Sequence, residues 1–555
     1  MLVGALTVLL VAQPGLTLSA GPVLANSDEA EVAAEPSKDG LASAQADAPT
    51  AAHAEEDAAA AAEAEPDSID QATEAAEAEL DSITFETARI GRPRTMPTTT
   101  GCARTLQAQI DAAPAGSTLT PAVCVYRETV TINKALTLSA APGTEIRGSD
   151  VWSDWTHPSS YWVQGPLPAF TSHGSCQPGT TRCLWPEQVF VDGQPLEQVT
   201  WNPTAGQFAV DANRMVLLAD DPRGHTVEVT TRTNWVVVNA DHVSILGFTM
   251  KHAANDAQSG ALTANGFSYL TVQGNTLSDA HGDAVAFLYG AGQQVLGNDV
   301  HHAGQTGIGS YKSTDVLVQG NKIHDNNTEE FDPNWEAGGL KMATVTRLRL
   351  DSNEVYNNAG PGLWCDISCG SVTYSHNKVH DNAGAGIFFE ISNGAQIADN
   401  ALWNNGTGNA EGWGSDVFVS SSSNAEVARN TILASRTHAI LVVSQDRAGY
   451  SSVVNNDVHD NTVVMNGLYQ QVGRTGLGWI QDWSGHLFDG ASNNRGANNA
   501  FWFSYPQPSW ERFDWSGARE TLAAFSATPG GQNSRYLSLA ERDQALTAAG
   551  IPLPR

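Results

Sequence analysis

The sequence predicts an all-β chain, a right-handed parallel β-helix carrying an inserted β-rich subdomain. Three observations predict it. The pattern Asn-x-apolar recurs at Asn275, Asn298, Asn321, Asn353, Asn377, Asn400 and Asn430, at spacings of 23, 23, 32, 24, 23 and 30 residues. The segments VQGNTLSDA, VLGNDVHHA, VQGNKIHDN, YSHNKVHDN and IADNALWNN are one motif repeated, and most units continue into a Gly and a short alternating apolar run. Finally, 555 residues exceed one ordinary compact domain but suit a stack of coils, each rising about 4.8 Å on the last. The repeated Asn reads as a structural ladder, because Asn tolerates left-handed backbone and its amide can bond the next coil.

Composition narrows the function classes. The net charge is −31, with 60 Asp and Glu against 29 Lys and Arg. Such scarce bases speak against a nucleic-acid partner, since phosphate neutralisation needs clustered Lys and Arg. The only long apolar run is at the N-terminus, so no membrane span is expected. Residues 1–90 hold 18 acids and 2 bases, a net of −16, so about half the charge sits in the first sixth of the chain.

Taken in order, residues 1–25 (MLVGALTVLLVAQPGLTLSAGPVLA) read as a secretory signal peptide, which makes the protein secreted and extracellular. Residues 26–95 are an acidic Ala/Glu-rich spacer too poor in apolar groups to fold. Residues 96–150 form an N-terminal cap and the first coils. Residues 151–225 break the repeat, carry Trp152, Trp155, Trp162, Trp185 and Trp201, and form the inserted β-rich subdomain. Residues 226–535 are the β-helix body, and 536–555 a C-terminal cap. Six cysteines suit an exported chain. Cys102–Cys124 and Cys176–Cys183 pair by proximity. Cys365 and Cys369 would stand about 13 Å apart in an extended strand, so they can bridge only across a turn.

The repeat fixes columns. Counting from each Asn, positions +10 (Val285, Ile308, Leu363, Ile387, Ile440) and +12 (Phe287, Ser310, Cys365, Phe389, Val442) face the core. Positions +11 and +13 alternate with them and should face solvent. The +13 column reads Leu288, Tyr311, Ala343, Asp366, Glu390, Ser420; the +11 column reads Ala286, Gly309, Lys341, Trp364, Phe388, Phe418. Asp366 and Glu390 thus share one outward position on adjacent coils, about 5 Å apart. Stacked like charges cost stability, which asks for a functional reason. Two longer loops, NNTEEFDPNWEAGG and NNGTGNAEGWGS, flank the pair and bring Trp335, Glu336 and Trp413 to its edges.

Paired carboxyls at this spacing suit a retaining glycosidase, with Asp366 and Glu390 catalytic and Lys341, Glu336, Trp335, Trp364, Tyr311, Phe388 and Trp413 binding the sugar. Two other readings stay open. A polysaccharide lyase or epimerase would use Ca²⁺ on the carboxylates and Lys341 as base. A non-catalytic sugar-binding β-helix or adhesin would have no need of stacked acids. No cofactor or catalytic metal is called for, with a structural Ca²⁺ the one metal left open. His281 and Asp283 read as turn residues, and His301, His302, His324 and His380 as repeat residues rather than a metal cluster. The oligomeric state is not set by the sequence.

GLWCDIS (362–368), Glu390 in GIFFEIS (386–392) and WEAGGLK (335–341) together resemble secreted bacterial right-handed β-helix proteins of carbohydrate degradation, with a pectate-lyase-like solenoid. They also resemble glycoside hydrolase family 120, the β-xylosidases. That resemblance implies an Asp and a Glu on neighbouring coils, Asp366 as nucleophile and Glu390 as acid/base. It also implies a β-sandwich-like insertion comparable with residues 151–225. The substrate expected for the hydrolase reading is a neutral poly- or oligosaccharide.

Overall fold

The computed structural model describes residues 102–554 apart from 409–413, 435–437, 446, 448–451, 467–474, 505–512 and 520. The expected signal peptide, the spacer and Trp413 lie outside the described residues.

The chain winds through three long sheets of 12, 13 and 13 strands among the described residues. Each sheet takes every third strand of the body, so each coil contributes one strand to each sheet, and neighbours pair in parallel. This is the expected right-handed parallel β-helix. We call the sheet containing Asp283–Leu288, Thr306–Tyr311, Gly338–Ala343, Leu363–Asp366, Ile387–Glu390 and Val417–Ser420 the site sheet. The second and third sheets follow it in every coil.

The core is a set of aliphatic columns. Val285, Ile308, Leu340, Leu363, Ile387, Val417 and Ile440 stack in register on the site sheet, all essentially buried. The expected Asn ladder occupies the turn between the second and third sheets. Each Asn Oδ1 accepts from both the backbone N–H and the Nδ2 of the Asn one coil back, as from Asn353 to Asn377 at 3.0 and 3.0 Å. The same bonds run from Asn275 through Asn430 and continue to Asn461 and Asn499. A second ladder, five residues on, links Asn326, Asn358, Asn382 and Asn405. It ends on Asp416, which accepts from Asn405 Nδ2 at 2.7 Å and whose carboxyl burial pushes up to about 7.

The repeat histidines form a ring stack on the third sheet. His301, His324, Tyr356, His380 and Trp403 follow one another with centroids 4.0 to 5.1 Å apart. Among the described residues no three His, Cys, Asp or Glu gather as metal ligands.

The stack is closed at its N-terminal end by the helix Leu106–Ala112, whose Leu106 and Ile110 enter the core and whose cap is Thr105. The sequence places a cap at 536–555. There the helix Leu539–Ala549 instead lies along the flank of the third sheet, with Leu546 packed on Ala401, Leu433 and Val464. Its few apolar residues make only a narrow stripe, too small to cover a coil end. Phe513, Trp515 and Phe525 fill the core's far end, where the strand Phe513–Trp515 turns back antiparallel into Ala518–Arg519.

The insertion runs between the strands Ser149–Trp152 and Val227–Thr230, which pair antiparallel. It contains two four-stranded sheets around Val189, Leu196, Phe208, Val216 and Val229. It leaves the coil at the turn from the third sheet to the site sheet. The long loops after His324 and Trp403 leave at the same turn. Disulfides join Cys102–Cys124, Cys176–Cys183 and Cys365–Cys369. Among the described residues no helix is long and apolar enough to cross a membrane.

Candidate active site

The predicted columns exist. Gly309, Lys341, Trp364, Phe388 and Phe418 are consecutive register partners, as are Leu288, Tyr311, Ala343 and Asp366, and then Glu390 and Ser420. They point away from the coil core, but around the two acids they are buried rather than in solvent, which corrects the sequence reading. Lys341 is 6% exposed, Asp366 and Glu390 5%, and Trp364 3%. The reason is the loop after His324, which brings Trp335 and Glu336 over Lys341, and Arg447, which reaches Glu390.

The covering loop is tied down from both sides. Asn327 accepts from Phe331 N–H and donates to Phe331 O and Ala359 O. Residues 329–332 are bound by the insertion, with Arg182 on Glu329 at 2.8 Å, Gln177 N–H donating to Glu330 O, and Asp332 N–H donating to Ser175 O. The Cys176–Cys183 disulfide staples that arm. A short helix, Pro333–Glu336, capped by Asp332, then presents Trp335 and Glu336.

Lys341 organises the acids. Its Nζ donates to Trp335 O at 2.9 Å, pairs with Asp366 Oδ2 at 3.1 Å, lies 3.9 Å from Glu336 Oε2, and sits 3.8 Å over the Trp364 ring. It is a buried counter-ion, not a solvated lysine. Glu336 also accepts from Gln258 Nε2 at 2.6 Å, and its backbone carbonyl accepts from Gln305. Glu390 pairs with Arg447 at 2.9 Å. Burial first, and the Asp366 carboxylate second, push the Glu390 carboxyl up to about 7, against the pull of Arg447 and Lys341.

Trp364 and Phe388 do not offer faces to a sugar. Residues in one column are a coil apart, so their rings stack: Trp364 on Phe388 at 5.2 Å and Phe388 on Phe418 at 4.8 Å, while the Lys341 ammonium lies over the Trp364 ring. What Trp364 does offer is its indole N–H, which is buried without a well-formed hydrogen bond and approaches Glu390 closely enough to favour the ionised form weakly. Tyr311 lies two coils from Asp366, edge-on to Tyr289 at 5.6 Å and with the Lys312 ammonium over its ring. Trp335 packs its ring on Phe331 and His173.

Asp283 is not a turn residue. It opens the strand Asp283–Leu288 and is buried. Its Oδ2 fills the space a Cβ would take at Gly309, 2.4 Å from that position, and its Oδ1 has no partner. Burial, then the Glu336 charge, push it well above the usual carboxylate range. The small residue at Gly309, beside Lys341 in its column, was the available sequence signal. Arg447, Gln258 and Gln305 carried none, since they lie in loops outside the aligned columns.

The arrangement therefore sets two carboxyls on adjacent coils with unlike partners. Asp366 is matched by a lysine, and Glu390 keeps its proton to near neutrality. Such a pair can offer a proton from Glu390 and a carboxylate oxygen from Asp366 to one bound group.

The family described as right handed beta helix region matches residues 260–416. A solved structure of XylC with xylose is similar over 74% of this chain and 73% of that one, with 17% identity and a TM-score of 0.50. The A-module of Azotobacter vinelandii mannuronan C-5 epimerase AlgE4 is similar over 80% and 98%, with 12% identity and a TM-score of 0.47. DFA-IIIase from Arthrobacter chlorophenolicus A6 in complex with GF2 is similar over 71% and 87%, with 10% identity and a TM-score of 0.38. At these identities the likeness is one of fold.

Proposed function

We propose that the protein is an exported glycoside hydrolase that cleaves a neutral poly- or oligosaccharide with retention at the anomeric carbon. The observation that carries the reading is the adjacent-coil pair with split partners: Lys341 on Asp366, and Glu390 pushed up to about 7. Retaining enzymes hold such carboxyls about 5–5.5 Å apart, close to one coil rise.

In this mechanism an Asp366 oxygen attacks the anomeric carbon as the glycosidic C–O bond breaks, and Glu390 gives its proton to the leaving oxygen. Glu390, now ionised, takes a proton from water. That water oxygen attacks the same carbon and releases Asp366. Glu336 and Trp335 face the sugar at the rim, while Lys341 holds the Asp366 carboxylate in place. A neutral substrate is favoured because a uronate would have to enter among Asp283, Glu336, Asp366 and Glu390. The XylC structure, a complex with xylose, is a sugar complex on a similar fold. Three disulfides support action outside the reducing cytoplasm. The lyase reading needs Lys341 as a free base, and its ammonium is already engaged by Trp335, Asp366 and Glu336.

A panel of aryl glycosides and neutral polysaccharides tests the proposal, with product stereochemistry read by NMR. Hydrolysis with retention is expected, without the 235 nm absorbance of an unsaturated uronide. Appearance of that absorbance, or loss of activity on chelation, would replace the hydrolase reading with the lyase one.

A further inference from the structure

The turn that follows Asp366 differs from its neighbours. In five coils the site sheet passes to the second sheet in three residue steps: Leu288 to Ala291, Tyr311 to Thr314, Ala343 to Thr346, Glu390 to Asn393 and Ser420 to Ser423. The register partners fix these equivalences. From Asp366 to its equivalent, Gly370, there are four steps. One residue is extra.

The regular turns share a backbone bond. The residue after the +13 position takes a left-handed conformation and donates its N–H to the +13 carbonyl of the next coil: Tyr289 to Tyr311, Lys312 to Ala343, Thr344 to Asp366, Ile391 to Ser420 and Ser421 to Val443. Ile367 should donate to Glu390 in the same way. It donates instead to Asp366 Oδ1, at 2.8 Å. The ladder bond passes one residue on, from Ser368 N–H to Ile391 O. Two successive left-handed residues, Ile367 (φ 51°) and Ser368 (φ 64°), absorb the extra step. Thr344 and Ile391 take this conformation singly in the regular turns; two such residues in succession are peculiar to this one. The Cys365–Cys369 disulfide spans this segment, with both sulfurs in the core. In the Glu390 and Ser420 turns a serine hydroxyl (Ser392, Ser422) closes the turn onto the preceding carbonyl. Cys369 stands in that column, and its own N–H donates to Ser392 Oγ at 3.1 Å.

We infer that the extra residue and its disulfide are a positioning device that takes a backbone N–H out of the coil ladder and gives it to the Asp366 carboxylate. Oδ1 is then held by Ile367 N–H and Oδ2 by Lys341, so the carboxylate cannot rotate between them. Cys365, Ile367 and Cys369 are positioning residues, acting through Asp366. The inference rests on Asp366 being the nucleophile.

The neighbouring coil supplies the test. Glu390-Ile391-Ser392-Asn393 is a regular turn, and deleting Cys369 leaves Asp366-Ile367-Ser368-Gly370, the same pattern. A variant with Cys369 deleted and Cys365→Ala should fold with its circular dichroism unchanged. Its kcat on the best aryl glycoside should fall by about 10²-fold while KM moves less than about threefold, as expected of a group acting on the bond-forming step. Labelling of Asp366 by a 2-deoxy-2-fluoro glycosyl fluoride, followed by mass spectrometry, should slow in parallel. Labelling and kcat within threefold of wild type would overturn the inference. If that variant does not fold, Cys365→Ser with Cys369→Ser keeps the turn length without the tie: slower labelling supports the device, and an unchanged rate overturns it. Asp366→Asn run alongside separates the two levels, because its retained turnover would remove the proposed function and this inference together.

Discussion

Asn353 and Asn377 stand one coil apart in the turn between the second and third sheets, and Asn353 donates both its backbone N–H and its side-chain amide to Asn377 Oδ1. Asp366 and Glu390 also stand one coil apart, on the site sheet, and instead of each other they bind Lys341 and Arg447. Both columns are stacks of similar side chains at the same rise. An amide carries a donor and an acceptor, so a column of amides satisfies itself and every added coil strengthens it. A carboxylate carries only acceptors, so a column of two must import cations or keep a proton. The β-helix makes a scaffold from the first column and a reactive pair from the second, with no change in backbone plan.

The comparison can be broken at four points. Asp366→Asn gives the acid column one amide; turnover should fall by about 10⁴-fold or more while the fold persists, measured on the best substrate of the panel. Activity within tenfold of wild type would remove the assignment. Glu390→Gln should lower kcat by about 10²–10⁴-fold on substrates with poor leaving groups. Its stability effect has a definite sign. The folded carboxyl holds its proton to about pH 7 and the unfolded one only to about 4.5. The stability carried by that proton is complete below pH 4.5 and is lost as pH rises through 7. At pH 8 the ionised group therefore costs about 3 kcal/mol, and Glu390→Gln should melt above wild type there and level with it below pH 4.5. In the other column, Asn377→Ala strands the Asn353 N–H and the Leu350 carbonyl. Urea unfolding should show a loss of about 3 kcal/mol, with kcat unchanged. The smallest effect is expected from Arg447→Ala. Arg447 favours ionised Glu390, so its removal should move the basic limb of the kcat/KM profile upward, by about half a pH unit or more.

The scaffold was legible because it repeats. Seven asparagines fix the coil, and the coil fixes which residues share a column, so the repeat alone groups Lys341, Trp364, Asp366, Phe388 and Glu390. What was not legible was whatever breaks the repeat. Arg447 lies past a strand in an unaligned loop, and Gln258 and Gln305 reach Glu336 from turns. Burial of the site depends on the insertion arm at residues 173–183 meeting the loop at 329–332, a contact between segments about 150 residues apart that no local pattern encodes. The aromatic column was read as a sugar platform because alternation gives a side chain's direction but not what its neighbour one coil away does to its faces. Asp283 was misread because its strand begins at the very turn that the repeat assigned to it.

The hairpin at the far end of the stack has a consequence beyond the single molecule. A parallel coil whose last strand is bare presents the same edge that every internal strand presents to its successor, and a second molecule could continue the winding into a filament. Turning Phe513–Trp515 back into Ala518–Arg519 offers a newcomer an antiparallel edge only two residues long, which cannot template a parallel coil. Continuation of the coil is thereby blocked on the site sheet, while the third sheet ends on the parallel strand Arg535–Tyr536, only two residues long.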